Sequence, residues 1–317
     1  VNREGWDATL GKLAAPSPLL QSWGYGETQR DEGWQVVRLD LGGACAQVQL
    51  QGPPGLRQAY VPRGPVPFGE PALRALSEWA RGQGLIRLRV EPEAEAPCTG
   101  VLREMGFRPG VPLHPVNTQI VLLGPEEDML ASFKPKHRYN IRLALRKGVE
   151  VEEGHDVAEL HRQHAYTARR QGITGASLGA YLRRLERLDW CRVYVARFEG
   201  EPVAAAMVAR YAGRATYLFG GSGDRHRQVM PSYAVQWTAM RAAAAAGCRD
   251  YDLFGMPASP DDPTDPWHGL QQFKSGFGGR TVTYCGAWDL VLSPLAVGLA
   301  DRGRRFRRAV GSFVKTR

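Results

Sequence analysis

The sequence predicts an α/β protein of two domains, each a mixed sheet carrying helices. Three observations lead there. A length of 317 residues suits two domains better than one, at roughly 100 to 200 residues per domain. Short apolar runs closed by Gly or Pro alternate with stretches of helical periodicity, and this order occurs twice along the chain. Between the two series lies Arg108–Pro115, with three prolines and a glycine, a composition that cannot continue a helix and suits a linker.

In the first series, the runs 34–39 and 46–50 read as strands. A helix is expected to start at Pro71, to carry Leu73, Leu76, Trp79 and Ala80 at helical spacing, and to end by Gly84 before a strand over 85–90. A short helical segment ends at Met105-Gly106-Phe107. The second series opens with a strand over 118–123, followed by helices over 126–147, 157–171 and 178–188 and strands over 193–197 and 202–211. Strands near 215–220 and 250–253 flank a long helix over 232–246, which carries Val235 and Ala239. The domains are expected to be 1–115, completed by 290–317, and 116–289, with a cleft between them.

Composition narrows the class. Apolar residues make up 43% and charged residues 23%, as in an ordinary globular protein. Five scattered cysteines form neither CxxC pairs nor a compact framework, which argues against a disulfide scaffold or a zinc site. His161 and His164, one helical turn apart, lack a third ligand in the sequence, so no metal is expected. No apolar run reaches the roughly 18 residues of a spanning helix and the first ten residues carry no signal-like core, so the expectation is a cytoplasmic chain.

The net charge of +9, from 41 Lys and Arg against 32 Asp and Glu, favours an acidic partner. Two segments concentrate it. Between Asp128 and Glu150 no acid occurs, while Lys134, Lys136, Arg138, Arg142, Arg146 and Lys147 do, interleaved with Phe133, Tyr139, Ile141 and Leu145. Arg138, Arg142 and Arg146 share one helical face, a like-charge stripe that costs stability unless it meets an anion such as RNA or a diphosphate. The run 301–317 adds Arg302, Arg304, Arg305, Arg307, Arg308, Lys315 and Arg317, an amphipathic pattern suited to RNA or to the inner face of an anionic membrane.

Four further segments are rich in Gly and aromatic residues: Tyr217-Leu-Phe-Gly-Gly-Ser-Gly-Asp224, Pro231-Ser-Tyr-Ala-Val-Gln-Trp237, Tyr251-Asp-Leu-Phe-Gly255 and Gly269-Leu-Gln-Gln-Phe-Lys-Ser-Gly-Phe-Gly-Gly279. Each glycine cluster among them permits a tight turn after a strand, where backbone N–H groups can face a ligand. Together with Gln21-Ser-Trp-Gly24, Tyr60-Val-Pro-Arg-Gly-Pro-Val66 and Lys136-His-Arg-Tyr-Asn-Ile-Arg142, their order and spacing resemble the FemABX family of peptidoglycan aminoacyltransferases over nearly the whole chain. The resemblance implies two acetyltransferase-like domains. With no long heptad run in the sequence, the family's occasional coiled-coil arm is not expected.

The resemblance also implies a reaction: transfer of glycine, alanine or serine from aminoacyl-tRNA to the side-chain amine of a nucleotide- or lipid-linked muropeptide precursor, by a monomer needing no cofactor. The family's Phe-Lys pair matches Phe273 and Lys274. The lysine charge suits stabilisation of the oxyanion that forms when the amine attacks the ester. Arg170 or Arg169 matches a diphosphate-binding arginine, a task fitted to a guanidinium fork. Further substrate contacts are expected at Arg227, His226, Tyr233, Tyr60 and Arg30, the last standing beside Gln29 where relatives carry a basic residue. Contacts to tRNA are expected at Lys134, Lys136, Arg138 and Arg142. Asp224, Asp250 and Asp252 lie near the motif turns as candidate proton acceptors, with Asp252 the one named for the site, while the resemblance implies no obligatory protein base and leaves room for substrate assistance.

Two rivals differ in what they leave unexplained. An acyl-CoA N-acetyltransferase needs a pyrophosphate loop, and Arg81-Gly-Gln-Gly84 lacks its spacing. An RNA- or membrane-binding module accounts for the charge and leaves the Gly-Gly, Tyr-Asp and Phe-Lys motifs without purpose.

Overall fold

The computed structural model describes residues 2–95, 99–171, 188–257 and 268–302. The expected helix over 178–188, all but Leu188, and the basic run from residue 303 onward lie outside the described residues. The chain divides into two compact units, Val1–Ala14 with Leu20–His114 and Tyr284–Arg317, and Ala15–Leu19 with Pro115–Thr283.

The first unit holds a six-stranded sheet. Its strands in chain order are β1 (Gln35–Asp40), β2 (Cys45–Gln51), β3 (Gln58–Pro62), β4 (Arg87–Glu91), β5 (Arg108–Pro109) and, from the distant end of the sequence, β13 (Trp288–Val291). The spatial order is β1-β2-β3-β4-β13-β5. Only β3 and β4 pair in parallel. They are joined through a helix, α3 (Glu70–Gly82), as a parallel pair requires, and a short helix, α4 (Thr99–Glu104), follows β4. Leu73, Leu76 and Ala80 of that helix pack on Ala46, Val48, Leu50, Leu88 and Val90. The alternate residues Gln47, Gln49, Tyr60 and Glu91 give the opposite face a buried polar lining.

Two features of this unit depart from the sequence reading. Two helices precede the first strand, α1 (Arg3–Leu13), capped by Asn2, and α2 (Trp23–Asp31), capped by Ser22. The expected linker is partly a strand, because Arg108–Pro109 pairs with β13 and Gly110 donates to the Ala287 carbonyl. Proline does not exclude this, since β5 is an edge strand.

The second unit holds seven strands: β6 (Asn117–Leu122), β7 (Glu150–Gly154), β8 (Cys191–Phe198), β9 (Glu201–Tyr211), β10 (Arg214–Ser222), β11 (Asp250–Asp252) and β12 (Arg280–Thr283), in the order β12-β6-β11-β10-β9-β8-β7. Two-residue turns with positive φ, Glu199-Gly200 and Ala212-Gly213, link β8 to β9 and β9 to β10. Helices cover both faces, which is why β8 and β9 read as continuous apolar runs. Tyr194, Ala204, Ala206 and Val208 pack with helix α8 (Pro231–Ala245). Val193, Val195, Ala205 and Met207 pack with Val157 and Leu160 of α7 (Val157–Gln171).

The helix expected over 126–147 is two helices, α5 (Glu126–Ser132) and α6 (Pro135–Arg146). Pro135 forces the preceding Lys134 to an extended conformation, φ −59° and ψ 147°, and then serves as the first helical residue of α6. The sequence reading leaves out one short strand, β7, an edge strand in which Val151 is the one apolar residue among three glutamates and a glycine.

Candidate active site

Strand β10 pairs in parallel with β11 only over Arg214–Thr216, while its pairing with β9 runs on to Ser222. Past Thr216 the β11 side of β10 is therefore unpaired, and a cavity of about 380 Å³ lies there, entirely within the second unit. Its walls include Tyr217–Ser222 of β10, Thr167 and Arg170 of α7, Phe254 and Gly255 after β11, and Phe273 and Lys274 of α9 (His268–Ser275). The Gly-Gly pair permits close packing: a Cβ on Gly221 would lie 2.2 Å from the Gln163 carbonyl oxygen of α7.

Lys274 sits not in a surface loop but in a helix, with 4% of its surface exposed. Its Nζ donates to the carbonyls of Phe254 at 2.5 Å and Gly255 at 2.7 Å, and it stands 5.4 Å from the centre of the Tyr217 ring. Those carbonyls are aimed by a turn just after β11 in which Phe254 takes φ +50°. Asp252 holds the turn: its Oδ1 accepts from the Phe254 N–H at 2.7 Å and from the Thr118 hydroxyl. Burial pulls the Lys274 ammonium down to about 7, against the opposing charge of Asp252. Burial also pushes the Tyr217 hydroxyl up to about 12, so it stays protonated.

Arg170, rather than Arg169, lines the cavity. Its guanidinium donates to Asp224 at 2.6 Å and to the Ser222 carbonyl at 3.4 Å. Thus Phe273, Lys274 and Arg170 meet at one cavity, with Asp252 one turn behind it. Of the other two aspartates, Asp224 is engaged with Arg170 of the cavity wall and Asp250 with Arg214, each at 2.6 Å.

The remaining expected contacts are dispersed. Tyr233 packs edge-on against His137 and Phe273, behind the cavity wall. His226 lies 3.6 Å from Glu201 and against Phe198, and Arg227 is exposed at the turn before α8. Tyr60 belongs to the first unit, where its hydroxyl donates to Glu91 at 2.9 Å and lies 2.6 Å from His114 Nδ1. Arg30, on α2, pairs with Glu27 and donates to the Val36 carbonyl. On α6, Lys136, Arg142 and Arg146 are exposed beside Tyr139, as are Lys134 and Lys147 at its two ends. Arg138 instead turns back onto the Phe133 carbonyl, closing the end of α5. His164 lines the cavity, and burial lowers its pKa, with His161 adding to the effect.

Thr118, Phe254 and Gly255 complete the lysine's surroundings, and none was singled out from the sequence for that role. Among the described residues no group of three His, Cys, Asp or Glu side chains could hold a metal ion, and no helix is long and apolar enough to cross a membrane.

Comparison with known proteins places this geometry. A solved structure titled as the crystal structure of FemX superposes with a TM-score of 0.84 over 94% of this chain and 98% of that one, at 19% identity. A tandem GNAT protein from the clavulanic acid biosynthesis pathway matches with a TM-score of 0.51 at 13% identity, over 92% of this chain and 97% of that one. The fold is therefore a tandem acetyltransferase-like one. Residues 186–301 match the model of the FemAB family, and the chain carries a FemAB-family domain. The UDP-N-acetylmuramoylpentapeptide-lysine N(6)-alanyltransferase of Weissella viridescens is 29% identical over 169 residues, 51% of this chain and 48% of that one. The lipid II:glycine glycyltransferase of Staphylococcus aureus is 22% identical over 372 aligned residues, 87% of this chain and 88% of that one. The chain is thus similar in fold to FemX and in sequence to relatives named as an alanyltransferase and a glycyltransferase.

Proposed function

We propose that the chain transfers a small amino acid, glycine, alanine or serine, from aminoacyl-tRNA to the side-chain amine of the diamino acid in a muropeptide precursor. The observation that carries this reading is Lys274: a buried amine at a cavity wall, aimed by two main-chain carbonyls, in a chain similar to enzymes named for alanyl and glycyl transfer.

In this reading the precursor amine attacks the aminoacyl ester carbonyl. A C–N bond forms, the ester C–O bond breaks, and the proton lost by the amine ends on the departing ribose oxygen. An ammonium has three hydrogens. Two go to the Phe254 and Gly255 carbonyls, and the third is free to meet the oxyanion of the tetrahedral intermediate. Asp252 serves by keeping those carbonyls in place, since its Oδ1 accepts from the Phe254 N–H of the turn and from the Thr118 hydroxyl. Arg170 offers a guanidinium to an anionic group of either substrate. The exposed cations of α6 suit a tRNA phosphate backbone, with Tyr139 available for stacking. The work of such a site is mostly placement of two large substrates, since aminolysis of an ester is downhill.

The acyl-CoA alternative shares the fold, and a donor test separates the two. The purified chain is given radiolabelled glycyl-, alanyl- or seryl-tRNA, or labelled acetyl-CoA, together with UDP-linked or lipid-linked pentapeptide. Label reaching the peptide from charged tRNA alone is the expected result. Label from acetyl-CoA alone would overturn the reading.

A further inference from the structure

His137 is 4% exposed on the inner side of α6, whose outer side carries the exposed cations. Its ring stands edge-on to Tyr233 and Phe277, with centroids at 5.0 and 4.8 Å, and 6.2 Å from Phe273. The Nε2 lies 2.7 Å from the Phe273 carbonyl oxygen, so that nitrogen carries the proton and donates it, and Nδ1 has no hydrogen-bond partner. Burial, with Lys134 and Lys136 nearby, keeps the ring in this neutral form. A Cβ on Gly276 would come within 1.8 Å of the imidazole, so glycine is required there for the ring to lie against the α9 backbone. A second tie runs beside the first, from the Lys134 N–H to the Gly276 carbonyl at 2.9 Å.

Phe273 immediately precedes Lys274. A last-turn carbonyl of a short helix has no intrahelical donor to spare for it, so an outside donor decides where that turn rests. We propose that His137 is a positioning residue for Lys274: by holding the Phe273 carbonyl it fixes the end of α9 and the direction of the lysine into the cavity. It also makes that placement depend on the helix that bears the basic face. This rests on the aminoacyl-transfer reading for its consequence, but the contact itself is testable without turnover.

The test compares His137→Gln, whose amide nitrogen reaches the same carbonyl, with His137→Phe, which fills the cage and donates nothing, and with Gly276→Ala, which displaces the ring. Each is measured for kcat, for KM toward charged tRNA and precursor, and for the pH dependence of Lys274 acetylation by trace acetic anhydride, read by peptide mass spectrometry. Circular dichroism checks that each is folded. The glutamine variant should keep kcat within about threefold, while the other two lose about 10- to 100-fold in kcat with each KM within about threefold, as expected for a displaced reacting group. In those two the Lys274 titration should move up toward that of a free lysine. Equal kcat in the glutamine and phenylalanine variants, or a Lys274 titration unmoved in the phenylalanine variant, would overturn the proposal. If the parent transfers nothing from tRNA, the aminoacyl reading fails, and the titration alone then decides whether His137 positions Lys274.

Discussion

In the first unit the Glu91 carboxylate accepts from the Tyr60 hydroxyl at 2.9 Å, from the Leu113 N–H at 2.6 Å and from the His114 N–H at 3.1 Å. In the second, Lys274 gives two hydrogens to carbonyls and faces a cavity with the rest of its valence. Both groups are nearly fully buried. The first cluster is closed: burial alone would raise the Glu91 carboxyl, yet hydrogen bonds from His114, Leu113 and Tyr60 outweigh it and hold the group below the usual carboxylate range. The second is open, and burial wins. A satisfied buried charge stabilises a fold, whereas an under-satisfied one beside a cavity is poised for chemistry.

Breaking the open cluster should have the largest effect. Lys274→Met should lower the transfer rate by about 10²- to 10³-fold, the usual cost of removing one oxyanion donor, with tRNA binding by filter retention unchanged.

Breaking the closed cluster should instead cost stability. Glu91→Gln should lower the free energy of unfolding by about 1–3 kcal/mol by leaving buried donors under-satisfied, measured by urea denaturation, with kcat within a few-fold. A large loss of kcat at full stability would erase the contrast, and would restore Tyr60 to a substrate-binding role.

A third prediction sharpens the comparison through linkage. Lys274 falls from 10.5 to about 7 on folding, so between those values the unfolded chain binds the extra proton. Stability contributed by this group therefore rises with pH from about 7 to about 10.5, by at most about 1.4 kcal/mol per unit. The difference in unfolding free energy between the parent and Lys274→Met should show that slope and flatten below pH 7. A difference independent of pH would mean that the lysine titrates normally.

The smallest effect concerns the outer face of α6. Arg142→Ala and Lys147→Ala should each weaken tRNA binding a few-fold and lower the slope of log affinity against log salt by about one. Arg138→Ala, whose guanidinium is occupied at the Phe133 carbonyl, should change the slope less.

Much of this was legible in the sequence where the signal is local. The helices at 70–82 and 157–171 and the strands β8 to β11 follow from periodicity and turn residues within a few positions of each. The Phe273-Lys274 pair is picked out by motif and Arg170, with Arg169 as its alternative, by resemblance; Phe273, Lys274 and Arg170 meet at one cavity. Contacts made over long sequence separations were not legible. Thr118 reaches Asp252 because β6 and β11 are neighbours in the sheet, and Phe254 after β11 reaches Lys274 on α9, the helix that leads into β12 on the other side of β6. The same holds for β13, which returns from the far end of the chain to complete the first sheet. The sequence reading places Arg138 in a stripe on one helix over 126–147, without the break before Pro135. That break exposes the Phe133 carbonyl that Arg138 caps.

The most direct test of the central claim is the single-turnover rate of aminoacyl transfer across pH 5.5 to 9, for the parent and for Lys274→Met. If the protonated lysine stabilises the oxyanion, the parent rate should be highest at low pH and fall tenfold per unit above about 7, once the decline has set in, after correction for the rising fraction of neutral precursor amine. The variant should be slow and lack that limb. Equal rates in the two proteins at every pH would contradict the assignment of Lys274, and with it the claim that the open cluster is the site of transfer.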